Sequence, residues 1–153
     1  MARLLTEKGA DVSKANYRGG TPLLKASSCG NVEVARLLID KGADISIANI
    51  AGETPLFLSS CMGYEGVVRL LINKGADVFK ANNKGETPLF KASYWGKVAV
   101  VQLLIDKGAD ISKASNEGKT PLFIASTRGS SDFSSTAVPA SLPQGRSKRC
   151  HRT

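Results

Sequence analysis

Apolar residues recur along this chain in two alternating blocks. The longer block carries Leu-Leu-Ile at residues 37–39, 70–72 and 103–105, and Leu4-Leu5 aligns with the first two of these positions. The shorter block follows Thr-Pro-Leu at Thr21, Thr54, Thr87 and Thr120. Between the blocks lies Gly-Ala-Asp, beginning at Gly9, Gly42, Gly75 and Gly108. Each phrase advances by 33 residues with no insertion or deletion. A fixed period of this size predicts a stack of small units rather than one globular core.

The third copy shows how a unit is built. Lys84-Gly85-Glu86 supplies turn chemistry, with Gly85 free to adopt a positive φ. Thr87 suits an N-cap, and Pro88 suits the first helical position, where its missing N–H costs nothing. A short helix is predicted through Leu89, Phe90, Ala92 and Ser93, ending at Gly96. Val98–Lys107 then places Val100, Val101, Leu103, Leu104 and Ile105 at helical spacing, with extra apolar cover. This second helix is expected to be buried on more than one side and to stop at Gly108. Each unit is a turn plus two antiparallel helices, and its apolar surface needs neighbours on both sides.

These residues carry a resemblance. Gly-x-Thr-Pro-Leu, then Ala/Ser-Ser, then Gly, then Val-x-x-Leu-Leu-Ile, then Gly-Ala-Asp is similar to the ankyrin repeat, over roughly residues 1–129. The resemblance implies an all-α repeat solenoid of helix-turn-helix units with β-turn fingers. The fingers and first helices would line a concave face that binds another protein. The array divides into a partial unit at 1–15, full repeats at 16–48, 49–81 and 82–114, and a partial unit at 115–129. Residues 130–153 form a basic tail rich in Ser and Pro, expected to be disordered.

Two positions depart from the family pattern. The usual histidine after Thr-Pro-Leu is Leu24, Phe57, Phe90 and Phe123, so apolar packing must replace its hydrogen bonds. The usual aspartate at the start of the turn is Asn16, Asn49, Asn82 and Ser115, which accept local hydrogen bonds without bringing charge. Both ends also read as unfinished. Leu4-Leu5 belong to a second helix without its first, and no Val-x-x-Leu-Leu-Ile follows Gly129. The expectation is a truncated fragment of a longer ankyrin array, or a reading frame that changes near Gly129.

Differences between units point to where a partner would dock. They fall at the finger tips, at Tyr17, Arg18, Ile50, Ala51, Glu53, Asn83, Lys84, Glu86, Asn116, Glu117 and Lys119. They also fall at the ends of the first helices, at Cys61, Met62, Tyr94, Trp95 and Arg128. Met62, Tyr94, Trp95 and Ile50 form the main candidate cluster, because aromatic and Met side chains anchor protein recognition. The other reading of Trp95 is that it folds back and fills a gap in its own unit.

Composition narrows the function. The net charge of +8 comes mostly from lysines repeated once per unit, such as Lys41, Lys74 and Lys107, which suit solvated helix C-termini. The tail adds Arg146-Ser-Lys-Arg149, a short basic run of the kind used as a nuclear address or a nucleic-acid contact. The alternative function is therefore a basic-tailed nuclear or nucleic-acid-associated protein with the repeats as spacer. Three cysteines without a shared repeat position read as free thiols, which points to the cytoplasm. No apolar run approaches the roughly 20 residues that span a bilayer. One histidine, His151, builds neither a catalytic triad nor a metal set. Asp11, Asp44, Asp77 and Asp110 recur as scaffold acids, and Gly118-Lys119-Thr120 lacks the upstream glycine of a phosphate loop. The leading expectation is a non-enzymatic interaction module, adaptor or scaffold, that binds a protein partner and uses no cofactor, metal or small-molecule substrate.

Overall fold

The computed structural model describes the backbone of residues 1–132 and the side chains through Thr127. Its helices are α1 (Ala2–Glu7), α2 (Pro22–Ser28), α3 (Val32–Asp40), α4 (Pro55–Met62), α5 (Glu65–Asn73), α6 (Pro88–Tyr94), α7 (Val98–Asp106) and α8 (Pro121–Asp132). No strand occurs among the described residues. The first helices α2, α4, α6 and α8 stack side by side as one layer, and α1, α3, α5 and α7 stack as a second. Each unit joins one helix from each layer, so the chain is an all-helical repeat array.

The first helices start where the chemistry demands. Thr21, Thr54, Thr87 and Thr120 each accept through Oγ1 the backbone N–H of the residue three positions on, at 3.1–3.2 Å. That satisfies one orphan donor per helix, and the proline that follows in each unit removes another. The second helices have less uniform starts. Asn31 caps α3 through Oδ1, whereas the side chains of Tyr64 and Lys97 make no cap bond to α5 and α7.

Apolar packing between the two layers supplies the core. Leu56, Val67, Val68, Leu71, Leu89, Val100, Leu103 and Leu104 form one buried cluster, and Leu23, Ala26, Ala35, Leu38, Ala43 and Leu70 form another. Leu24, Phe57 and Phe90, which stand in the histidine position, are all buried, so packing does replace the lost hydrogen bonds there. Phe123 at the same position is exposed, because no further first helix covers it among the described residues. The Leu-Leu-Ile block is not buried evenly: Leu103 and Leu104 are core, but Ile105 turns to the outer surface and is exposed.

One boundary differs from the sequence reading. Helix α8 runs through Gly129 to Asp132, a length of 12 residues against 7 or 8 in the other first helices. Those helices stop because the chain must reverse into a second helix whose apolar face packs back on them. After Gly129 no such block follows, so nothing forces the reversal. The remaining tail, including Arg146-Ser-Lys-Arg149, lies outside the described residues.

Candidate partner-binding surface

The fingers hold the candidate site, and a regular ladder fixes their spacing. Ile50 N–H donates to the Arg18 carbonyl at 3.1 Å, Asn83 N–H to Ala51 at 3.0 Å, and Asn116 N–H to Lys84 at 2.9 Å. Each bond joins a finger tip to the tip before it. Glycine makes the close approach workable. Gly52 and Gly85 have φ of 77° and 72°, and a Cβ on either would run into the asparagine of the next finger. Gly118 has the same backbone but open space around it.

Inside each finger the turn-starting asparagine acts as a staple. Asn16, Asn49 and Asn82 accept through Oδ1 the N–H groups two and four residues on, at 2.9–3.0 Å. In the second and third fingers Nδ2 also donates, from Asn49 to Glu53 and from Asn82 to Glu86, both at 2.9 Å. An aspartate could not donate and would repel that carboxylate. In these two fingers the departure from the family aspartate therefore goes with glutamate four residues later. Asp11, Asp44, Asp77 and Asp110 make short turns of their own, each accepting at 2.8 Å the N–H two residues on. Asp44 also accepts the Ser46 hydroxyl, and these two bonds lower its carboxyl pKa.

The predicted site residues separate into three groups. Tyr17 and Ile50 stand at adjacent finger tips, 89% and 71% exposed, with the Arg18 guanidinium 5.7 Å from the Tyr17 ring centre. Arg18, Lys84 and Glu117 are exposed as well, while Ala51, Met62, Tyr94, Trp95 and Lys119 are half-buried. Asn83 and Asn116 are exposed but already engaged. Their Nδ2 groups donate to the carbonyls of Ile50 and Asn83, one repeat back, at 2.9 and 3.1 Å.

The third group is turned inward. Glu53 is 7% exposed and committed to Asn49, and Cys61 is 2% exposed beneath the stacked first helices, so both expectations of a surface contact are corrected. Cys61 is also disulfide-bonded while Cys29 is a free thiol, which removes the premise of three free thiols behind the cytoplasmic reading. The Arg128 side chain lies outside the described residues.

Lys91 is a residue that the comparison between units overlooked. Its Nζ lies 3.0 Å from Glu86, both side chains largely buried, and 5.4 Å from the centre of the Tyr94 ring. Tyr94 in turn meets Trp95 edge to face, with centroids 4.9 Å apart. Asn82, Glu86, Lys91, Tyr94 and Trp95 thus form one connected set that ties the third finger to α6. The signal was present: an acid at the finger base and a lysine five residues on occur together only in this unit. On the fourth finger Glu117 and Lys119 pair at 2.6 Å at the surface, with Glu117 exposed and Lys119 half-buried. Among the described residues no three His, Cys, Asp or Glu side chains gather as a metal-holding group, and no helix is long and apolar enough to cross a membrane.

Comparison with known proteins rests on the repeat itself. A family model described as "Ankyrin repeats (3 copies)" matches residues 1–82 and again residues 79–136. A comparison with curated proteins gives no match. With threonine-capped first helices, a finger ladder and a family match along most of its length, this chain belongs to the ankyrin-repeat family.

Proposed function

We propose that the chain is a non-enzymatic interaction module, an adaptor or scaffold, that docks a protein partner across its fingers and first helices. Ankyrin repeats generally serve as protein–protein interaction modules, and the observation that carries the reading here is the pair Tyr17 and Ile50. Two large apolar side chains stand in solvent on adjacent tips whose backbones are locked together, so little ordering entropy remains to be lost on binding. Rigid aromatic and aliphatic anchors of this kind dominate interface energetics. Arg18, Ala51, Met62, Lys84, Tyr94 and Trp95 would complete the contact, with the Glu117–Lys119 pair at its rim.

Affinity isolation with the wild-type chain beside a Tyr17→Ser/Ile50→Ser double variant tests this. Both side chains are exposed, so the helical circular dichroism should not change. At least one protein held by the wild type should be lost from the variant. If every retained protein is retained equally, the finger tips are not the docking surface. A Tyr94→Ala/Trp95→Ala pair examines the second cluster in the same way.

A further inference from the structure

Two grooves inside the array are repeats of each other and differ in size. The wider, about 370 Å³, runs between the loops that follow α3 and α5, where Ile45, Ser46, Ala76, Asp77 and Lys80 line it. Thr54 and Leu56, at the start of α4, line it too. The narrower, about 160 Å³, is lined by Val78, Phe79, Thr87, Ala109, Asp110 and Lys113. Each of these six stands 33 positions after a residue of the wider groove, and four of the six pairs are identical. Ile45 to Val78 loses a methylene, so the narrowing comes from Phe79 in the place of Ser46. An aromatic ring lines one groove and is missing from the other.

The wider groove also carries polar groups that call for a ligand. Thr54 is 5% exposed, and its Oγ1 accepts the Phe57 N–H at 3.2 Å. Its own O–H proton has no acceptor among the described residues, although a buried hydroxyl normally finds one. Lys80 is exposed and makes no ion pair among the described residues. Asp77 is engaged through Oδ1 by the Phe79 N–H at 2.8 Å, in the turn it closes.

We propose that this groove receives the side chain of a tyrosine from a partner protein, with an acidic residue beside it in the partner's sequence. The ring takes the place that Phe79 takes one repeat on, against Ile45, Leu56 and Ala76. Its phenol oxygen accepts the Thr54 O–H, and the neighbouring carboxylate pairs with Lys80. The occupant is set by complementarity: a donor without an acceptor inside, a cation without a counter-ion outside, and apolar walls between them. A cavity of about 370 Å³ holds one large side chain and leaves the rest of the partner outside. None of these residues is at a finger tip, so the proposal stands whether or not a partner docks on Tyr17 and Ile50.

An amide-shift titration of the full chain by NMR tests this with capped dipeptides. Acetyl-Tyr-Glu-amide should give saturating shifts at Ser46, Ala76 and Lys80 with a Kd of about 1 mM, and leave Ile50 unmoved. Acetyl-Phe-Glu-amide and acetyl-Tyr-Lys-amide should each bind about fivefold more weakly, for want of the hydrogen bond and of the ion pair. Ser46→Phe should abolish the shifts by supplying the ring that the next unit already carries. Phe79→Ser should open the narrower groove and add a second set of shifts at Val78, Ala109 and Lys113. Serine stands at that position in the other three units with the same turn bond, so the fold is kept. Four results would overturn the idea: no saturation by about 20 mM; shifts at Tyr17 and Ile50 in place of the groove; equal binding of the tyrosine and phenylalanine peptides; or binding that survives Ser46→Phe unchanged. If Ser46→Phe loses helical signal, Phe79→Ser decides, and the absence of its second set of shifts overturns the proposal.

Discussion

The first two fingers and the last two share one backbone and use it differently. All are joined by the same N–H to carbonyl ladder. In the third and fourth, the tip residue is asparagine and spends its side chain on a second bond to the preceding finger. In the first and second, the tip is Tyr17 or Ile50, which makes no such bond and stands in solvent. The difference separates scaffold from recognition within one motif. Where a tip side chain reinforces the ladder it has less to offer a partner, and where it does not, an apolar group is left outside.

The largest expected effect comes from the glycines beneath the ladder. Gly85→Ala adds a Cβ in left-handed backbone and drives it into Asn116 of the next finger. Gly118→Ala keeps the same backbone penalty, φ 74°, without the collision. We expect a loss of about 3 kcal/mol for Gly85→Ala and about 1 kcal/mol for Gly118→Ala in urea melts. Equal losses would mean that the close approach of the fingers contributes nothing to stability.

Next in size is the staple within the finger. Asn82→Asp replaces a donor with a carboxylate facing Glu86, which is half-buried, and should cost about 2 kcal/mol. Asn16→Asp meets Gly20 instead of a glutamate, keeps both of its acceptor bonds, and should be close to neutral. Thermal melts of the two variants side by side distinguish this account from a general intolerance of aspartate at the position.

Much of this architecture was legible because the period makes each unit a control for the others. Thr-Pro-Leu, the turn glycines and the Leu-Leu-Ile block named the helices, their caps and their stacking before any coordinate. The candidate surface was less legible, and the reason is specific. Variation between units marks positions where the scaffold tolerates change, but an internal hydrogen bond also varies when its two partners change together. Glu53 and Glu86 differ from Gly20 and Lys119 because they pair with Asn49 and Asn82, not because they reach outward. Cys61 lies where Ser28 and Tyr94 lie, yet it alone of the three is buried, at 2% exposed. Side-chain destination depends on the neighbouring unit, which a position-by-position comparison does not contain.

Exchanging tip residues sharpens the contrast at a smaller scale. Ile50→Asn places an amide where it can donate to the Tyr17 carbonyl, one repeat back, as Asn83 does to Ile50. We expect stability to hold or rise by about 0.5 kcal/mol while partner binding falls. Asn83→Ile should do the reverse, losing about 0.5–1 kcal/mol and extending the apolar row. Denaturation and binding measured on the same two proteins decide the matter: binding unchanged in Ile50→Asn would remove the second finger from the contact.

The smallest effect belongs to the Glu117–Lys119 pair, the solvent-exposed counterpart of the buried Glu86–Lys91 bridge. The hydrogen bond from Lys119, and then its charge, hold the Glu117 carboxyl below its ordinary 4.5, and Glu117 likewise holds the Lys119 ammonium above 10.5. A depressed carboxyl adds stability that is complete above the unfolded pKa and lost as pH falls through the folded one. A raised ammonium adds stability present below the unfolded pKa and lost as pH rises through the folded one. Solvent and salt screen both groups, so the change belongs in a titration curve rather than in a melt. Carbon-detected titration should give Glu117 a midpoint below 4.5, moving back toward it in Lys119→Met and in high salt. A wild-type midpoint that ignores both changes would mean the pair does not persist in solution, leaving Glu117 and Lys119 free to serve a partner.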